Sequence, residues 1–120
     1  MFIRLPGAKL ETEVQVQRIF DAIRRFWVRE CAGAKVYCVV DYTDFSLNIA
    51  LTAAWAAGVQ HAVETYTIAT VRYCTDISAR ATVRAVAIKT HQPSNLYATR
   101  EDALSVVNGL RAKRIELGRE

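Results

Sequence analysis

The chain has 120 residues, 52% of them hydrophobic and 23% charged, with a net charge of +4. That length fits one domain with a true apolar core, and two prolines with five glycines leave little room for disordered linkers. No apolar run reaches the roughly 18 residues that cross a bilayer, and the opening MFIRLPGAKLE turns polar too soon for a signal peptide, so composition predicts a cytoplasmic protein without a membrane partner.

Met1 to Leu5 reads as a short strand stopped by Pro6-Gly7. Thr12 then opens a helix, and Gln15 three residues on completes a capping box. Val16, Phe20, Ile23 and Trp27 recur at helical spacing, with Ile19 and Phe26 widening the apolar stripe. Asp21 and Arg25 stand at the i,i+4 spacing of a helix ion pair, and Gly33 stops the helix. Lys35 to Asp41, KVYCVVD, is β-branched and aromatic and apolar on both faces. A strand of that kind belongs in the middle of a sheet with helices above and below.

Ser46 is placed to cap the next helix, Leu47 to about Val63. Ala50, Ala53, Ala54, Ala56 and Ala57 cover several of its faces, Trp55 sits among them, and no charge falls between Asp44 and Glu64. A helix apolar all round needs cover on more than one side. Ile68 to Cys74 is the next strand, and Ile77 to about Lys89 reads as a helix with Arg80 and Arg84 on one wet stripe. Gln92-Pro93-Ser94 is a turn, and Asn95 to Ala98 is a short strand. Thr99 caps the last helix, with Asp102 at its N3 position and Glu101 at the positive end of the dipole. Ala103, Val106, Val107 and Leu110 form its inner face, and residues 115–120 read as a fraying tail. The expectation is one α/β domain over residues 1–120. It has a mainly parallel four-stranded sheet with four helices, in β-α-β-α-β-α-β-α order.

In such a sheet, ligands bind beyond the carboxyl ends of the strands. Asp41, Thr43, Asp44 and Ser46 follow one strand; Arg72, Thr75 and Asp76 close the next; Thr99, Arg100 and Glu101 follow the last. Hydroxyls, carboxylates and helix N-termini gathered there suit a phosphate or another small polar ligand. Ser46, Thr75 or Asp76, and Thr99 also read as the caps that every helix needs. Asp41, directly after a buried strand, needs a partner, and Arg72 is the candidate.

Cys31, Cys38 and Cys74 are odd in number and form no CxxC pair, and with His61 and His91 they show no metal-ligand spacing. Neither a disulfide nor a metal is expected, and Cys38 reads as a small core hydrophobe. There is no GxSxG elbow, P-loop or GxGxxG, so neither catalysis nor a cofactor is expected. The basic residues are spread over several segments without interleaved aromatics, which excludes a nucleic-acid face. Ala50, Ala53, Ala54, Trp55 and Ala57 form the candidate interface, for a protein partner or for a second copy in a homo-oligomer.

Tyr42 and Phe45-Ser46 in VDYTDFS are followed by Ala54, Ala56, Val63-Glu64 and Tyr66, then by Arg72-Tyr73 with Thr75. Together with LPGAKLETEVQVQRI and LYATREDAL, this pattern resembles the C-terminal accessory domain of bacterial acyl-CoA:acetate and 3-ketoacid CoA-transferase-like proteins. The resemblance implies a STAS-like, SpoIIAA-type fold. It also implies a non-enzymatic interaction or regulatory domain, accessory to an acyl-CoA transferase or a similar enzyme. Its alternatives are a sensor of nucleotide or acyl-CoA, or an anti-sigma-antagonist-like switch at Ser46. The family's catalytic domains and their glutamate nucleophile lie upstream of the matching domain, so the resemblance carries no transferase activity over. The family domain also has another strand before the one that opens this chain. SpoIIAA-type antagonists carry Asp-Ser-Ser at the start of the helix after the central strand. Here Phe45-Ser46-Leu47-Asn48 supplies one hydroxyl without the aspartate or the second serine.

Overall fold

The structure, a computed structural model, describes residues 1–116. Its four-stranded sheet has the order β1 (Phe2–Arg4), β3 (Val36–Asp41), β5 (Thr67–Tyr73) and β6 (Leu96–Tyr97), and every neighbouring pair is parallel. β3 therefore lies inside the sheet, and Cys38, Val39 and Val40 on it are buried. Successive side chains of a strand point to opposite faces. Cys38 and Val40 join a core with Val16, Trp55, Val59 and Val83, whereas Val39, Val71 and Tyr73 join one with Ala103 and Val107. The first core lies under α1 (Glu13–Cys31), α2 (Thr52–Tyr66) and α3 (Ile77–Thr90). The second lies under α4 (Arg100–Glu116). Each crossover advances one strand in the same direction, and crossovers of one hand then lay all three helices on one face.

That layering accounts for the uncharged helix. α2 is the middle helix of the three and packs against α1, α3 and β5. Trp55 stacks between Phe20 of α1 and Phe45, with ring centroids 4.8 and 5.1 Å away. Gly58 faces the Phe20 ring so closely that a Cβ would lie 2.2 Å from Cε2. Small side chains are what let α1 and α2 approach.

Local signals act as the sequence dictates at several boundaries. Thr12 and Gln15 form the reciprocal capping box at the start of α1. The chain leaves that helix through Ala32 and Gly33, both in the left-handed region. Asp76 caps α3 by accepting from the Ala79 N–H, and Thr99 accepts from the Asp102 N–H at 3.1 Å.

Four expectations are corrected. Ser46 does not open a helix. Ser46–Leu47 is a short strand, β4, paired parallel with β2 (Lys9–Leu10) in a second sheet, so the simple β-α alternation is interrupted. The Ser46 and Asn48 N–H groups are committed to the Ala8 and Leu10 carbonyls at 2.9 Å. Asn48 does the capping instead, accepting from the Ala50 N–H and leading through a 3₁₀ turn at Ile49–Leu51 into α2, which runs on to Tyr66. Asp21 and Arg25 do not pair; the ion pair found among the described residues is Arg29–Glu30 at 2.8 Å. Arg80 is half-buried and reaches the Cys74 carbonyl, so only Arg84 of the expected stripe is wet. Ile115 and Glu116 belong to α4, and the rest of the expected tail, 117–120, lies outside the described residues. Among the described residues no helix is long and apolar enough to cross a membrane.

Replacing Gly58 by alanine isolates the α1–α2 approach. In a free helix the change gains about 1 kcal/mol. Here the new methyl must push Phe20 off Trp55, and overpacking of this kind costs roughly 1–3 kcal/mol. We predict that Gly58→Ala lowers the Tm in a thermal circular-dichroism scan; a raised Tm would show that the two helices do not meet at this point.

Candidate functional site

β3 and β5 end together. The Tyr42 N–H donates to the Tyr73 carbonyl at 3.0 Å, so the two chains leave the sheet side by side. Asp41 then folds back on its own loop: its Oδ1 accepts from the Thr43 N–H at 2.9 Å and from the Thr43 hydroxyl at 2.6 Å. This Asx turn is the local partner that a carboxylate at the end of a buried strand requires. Across the rim, Asp76 accepts from the Asp44 N–H at 3.1 Å with one oxygen and from Ala79 and Ser78 with the other. Burial acts upward on the Asp76 carboxyl. The N–H groups of Asp44 and Ala79 and the Ser78 hydroxyl outweigh it and hold the group below its ordinary 3.8. Asp44 has φ 55°, a conformation that aspartate tolerates and that aims its N–H at Asp76.

The structure thus brings Asp41, Thr43, Asp44 and Asp76 to one rim, with Thr75 exposed beside them. Ser46 lies exposed on β4 with its backbone engaged. Four of the polar side chains there are occupied by turns and caps: Asp41 and Thr43 by each other within their loop, Asp76 by α3 and Thr99 by α4. Arg4 and Arg100 lie near the same rim, each over the Phe2 ring at 5.2 and 5.0 Å. Tyr73 is buried below it; burial and then the Asp41 charge push its hydroxyl up.

Arg72 is not part of this group. Asp41 is in register with Tyr73, and Arg72 with Val40, so alternation puts Arg72 and Asp41 on opposite faces of the sheet. The expected Asp41–Arg72 pair does not form. Arg72 instead runs under the helices, 6% exposed, and its Nη1 donates to the Ser94 carbonyl at 3.0 Å. Its N–H donates to the Asn95 carbonyl, and the Asn95 side chain donates to the Thr70 carbonyl, which ties the loop before β6 to the sheet. Beside Arg72 is a cavity of about 40 Å³, walled by Tyr42, Trp55, Thr70 and Cys38 and by apolar side chains of β1, α1 and α2. Burial pushes the Tyr42 hydroxyl up, while the adjacent Arg72 charge pulls the other way. The cavity is what sequence reasoning missed. The available signal was an arginine in a strand otherwise made of threonine, alanine, valine and tyrosine after Ile68.

Of the candidate interface residues, Ala50, Ala53 and Ala57 are exposed, Ala54 is half-buried and Trp55 is 2% exposed. Trp55 belongs to the core and is corrected as a surface residue. Cys38 is buried, and that burial pushes its thiol up from 9.0 to about 11, far from a reactive thiolate at neutral pH. Burial and the Asp76 charge push Cys74 up as well. Among the described residues no three His, Cys, Asp or Glu side chains converge where they could hold a metal ion. Compared with known proteins, the chain matches no family model, and no curated protein and no solved structure is similar to it beyond chance.

The two rim oxygens make opposite predictions. Asp76→Ala removes a helix cap and the tie to Asp44 and is expected to cost about 1–2 kcal/mol in urea unfolding. Ser46→Ala removes an exposed hydroxyl with no capping duty and should stay within about 0.5 kcal/mol. Equal losses would contradict the assignment of the caps.

Proposed function

We propose that this chain is a non-enzymatic, STAS-like interaction domain that binds a second copy of itself through the outer face of α2 and α3. The observation that carries the reading is the exposure of Ile49, Ile77 and Ile88, at 89%, 85% and 77%. Ile49, Ala53 and Ala57 recur at intervals of four along one side of the middle helix and the turn before it. Ile77, Ala81 and Ile88 form the matching stripe on the neighbouring α3. Burying an isoleucine stabilises a complex by about 1.5–3 kcal/mol relative to leaving it in water, and small residues between the anchors permit close helix approach. A two-fold pairing sets the same patch against itself, so each anchor is used twice.

The STAS-like part of the reading is supported by the resemblance of the Asp41–Thr75 run and by a parallel four-stranded sheet carrying four helices. Its non-enzymatic part is supported by the duties already held by Asp41, Asp76 and Thr99 as turn and cap residues. On this reading the domain serves beside an enzyme of acyl-CoA metabolism as an accessory and contributes no chemistry of its own. A second reading, a small-ligand sensor, is favoured by a different observation, the buried Arg72 guanidinium beside a cavity.

Size-exclusion chromatography with light scattering tests the self-association. The wild-type chain is expected to run at twice its formula mass. Ile49→Lys with Ile77→Lys is expected to run as a folded monomer with an unchanged circular-dichroism spectrum. A wild-type monomer at high protein concentration would refute the pairing.

A further inference from the structure

We propose that Arg72 anchors a binding site for a free medium-chain carboxylate, the head group on its guanidinium and the apolar tail running beneath α1 and α2 toward the edge strand β1. A buried cation is costly unless it is paired. Arg72 is 94% buried by the complement of its 6% exposure, and among the described residues no Asp or Glu oxygen lies within 4.0 Å of its nitrogens. The Ser94 carbonyl takes one N–H at 3.0 Å. Arginine carries five such donors in a planar fork, and tethering one carbonyl needs a single neutral donor rather than a full charge. The fork is the shape that a carboxylate fits with two parallel hydrogen bonds.

The surroundings define the rest of the ligand. The space beside Arg72 is about 40 Å³, above the roughly 10–15 Å³ that one water needs. Tyr42 adds a hydroxyl at the arginine end, the Thr70 hydroxyl beside it donates to Thr67 at 3.0 Å, and Phe20, Val59 and Val63 make the continuing wall apolar. Toward the sheet edge, Met1, Ile3, Leu5 and Ile23 line both this cavity and a groove of about 280 Å³ between α1 and β1. Those four side chains form a wall common to the cavity and the open groove. Arg72 on β5 lies two strands from β1, and two spacings of about 4.8 Å give a path of about 10 Å, the reach of a carboxylate with about eight carbons. The anion must be free. A thioester or an alcohol of the same length brings the tail without the charge that Arg72 lacks. This site stands on the face covered by α1, α2 and α3 and does not depend on the proposed pairing of two copies through the outer side of α2 and α3.

Octanoate is the probe, with 1-octanol and methyl octanoate as neutral counterparts. Octanoate is expected to raise the Tm saturably by several degrees and to change tryptophan emission in parallel, because Trp55 walls the cavity. The neutral analogues are expected to do neither. Arg72→Gln keeps a donor for Ser94 and should weaken octanoate by about tenfold or more, the weight of a charged hydrogen bond. Ala62→Phe fills the cavity from α2 while leaving Arg72 in the chain and should abolish the response, which keeps the test decisive if Arg72→Gln does not fold. A non-saturable response, equal effects of octanoate and octanol, or full octanoate binding by Ala62→Phe would each overturn the site.

Discussion

The parallel pairing of β3 with β5 is the constraint from which the rest of the molecule follows. Beyond the irregularity at Val36–Tyr37, Cys38 faces Thr70, Val39 faces Val71, Val40 faces Arg72 and Asp41 faces Tyr73. That register sorts every side chain of the two strands into one of two compartments. Cys38, Val40 and Arg72 go under the three crossover helices, and Val39, Val71 and Tyr73 go under α4. A slip of one residue would exchange the two sets and place Arg72 at the rim beside Asp41. The separation of the rim carboxylates from the buried guanidinium is thus a property of strand register, set far from either group.

The aromatic chain on the helix-covered face turns that register into a fixed layer. Tyr42 meets Phe45 at 5.0 Å, Phe45 meets Trp55 at 5.1 Å, and Trp55 meets Phe20 at 4.8 Å, linking the end of β3 through α2 to α1. Trp27 and Tyr66 close the far end at 4.6 Å. Contacts of this kind add about 0.5–1.5 kcal/mol each beyond the area they bury. They also explain why α2 carries small residues elsewhere. With bulky rings filling the space between helices, alanine and glycine are what fit between them, and the outer alanines are left facing water.

Much of this was legible in the sequence wherever the signal is local. The capping box at Thr12 and Gln15, the doubly apolar KVYCVVD and the caps at Asp76 and Thr99 each depend on residues within one turn or one strand. Three features were not legible, because their cause is distant in sequence. Ser46–Leu47 is held as a strand by Lys9–Leu10, and nothing within its own turn announces that pairing. The failure of Asp41 to meet Arg72 is decided by register, which no spacing within either strand records. Trp55 could not be assigned to the core from α2 alone, since a helix without a polar stripe does not tell its faces apart. The mild surprise of an arginine in an apolar strand was visible, but only the strand alternation shows that it turns inward.

Native-state hydrogen exchange followed by NMR tests the central claim most directly. If β3 and β5 form the inner pair of the sheet, the amides of Cys38, Val39, Val40 and Val71 should be among the slowest in the protein, opening only with global unfolding, while the outward amides of the edge strand at Phe2 and Arg4 exchange far faster. Exchange at Val39 and Val40 as fast as at Phe2 and Arg4 would mean that β3 is a border strand, and the division of the molecule into two faces would fall with it.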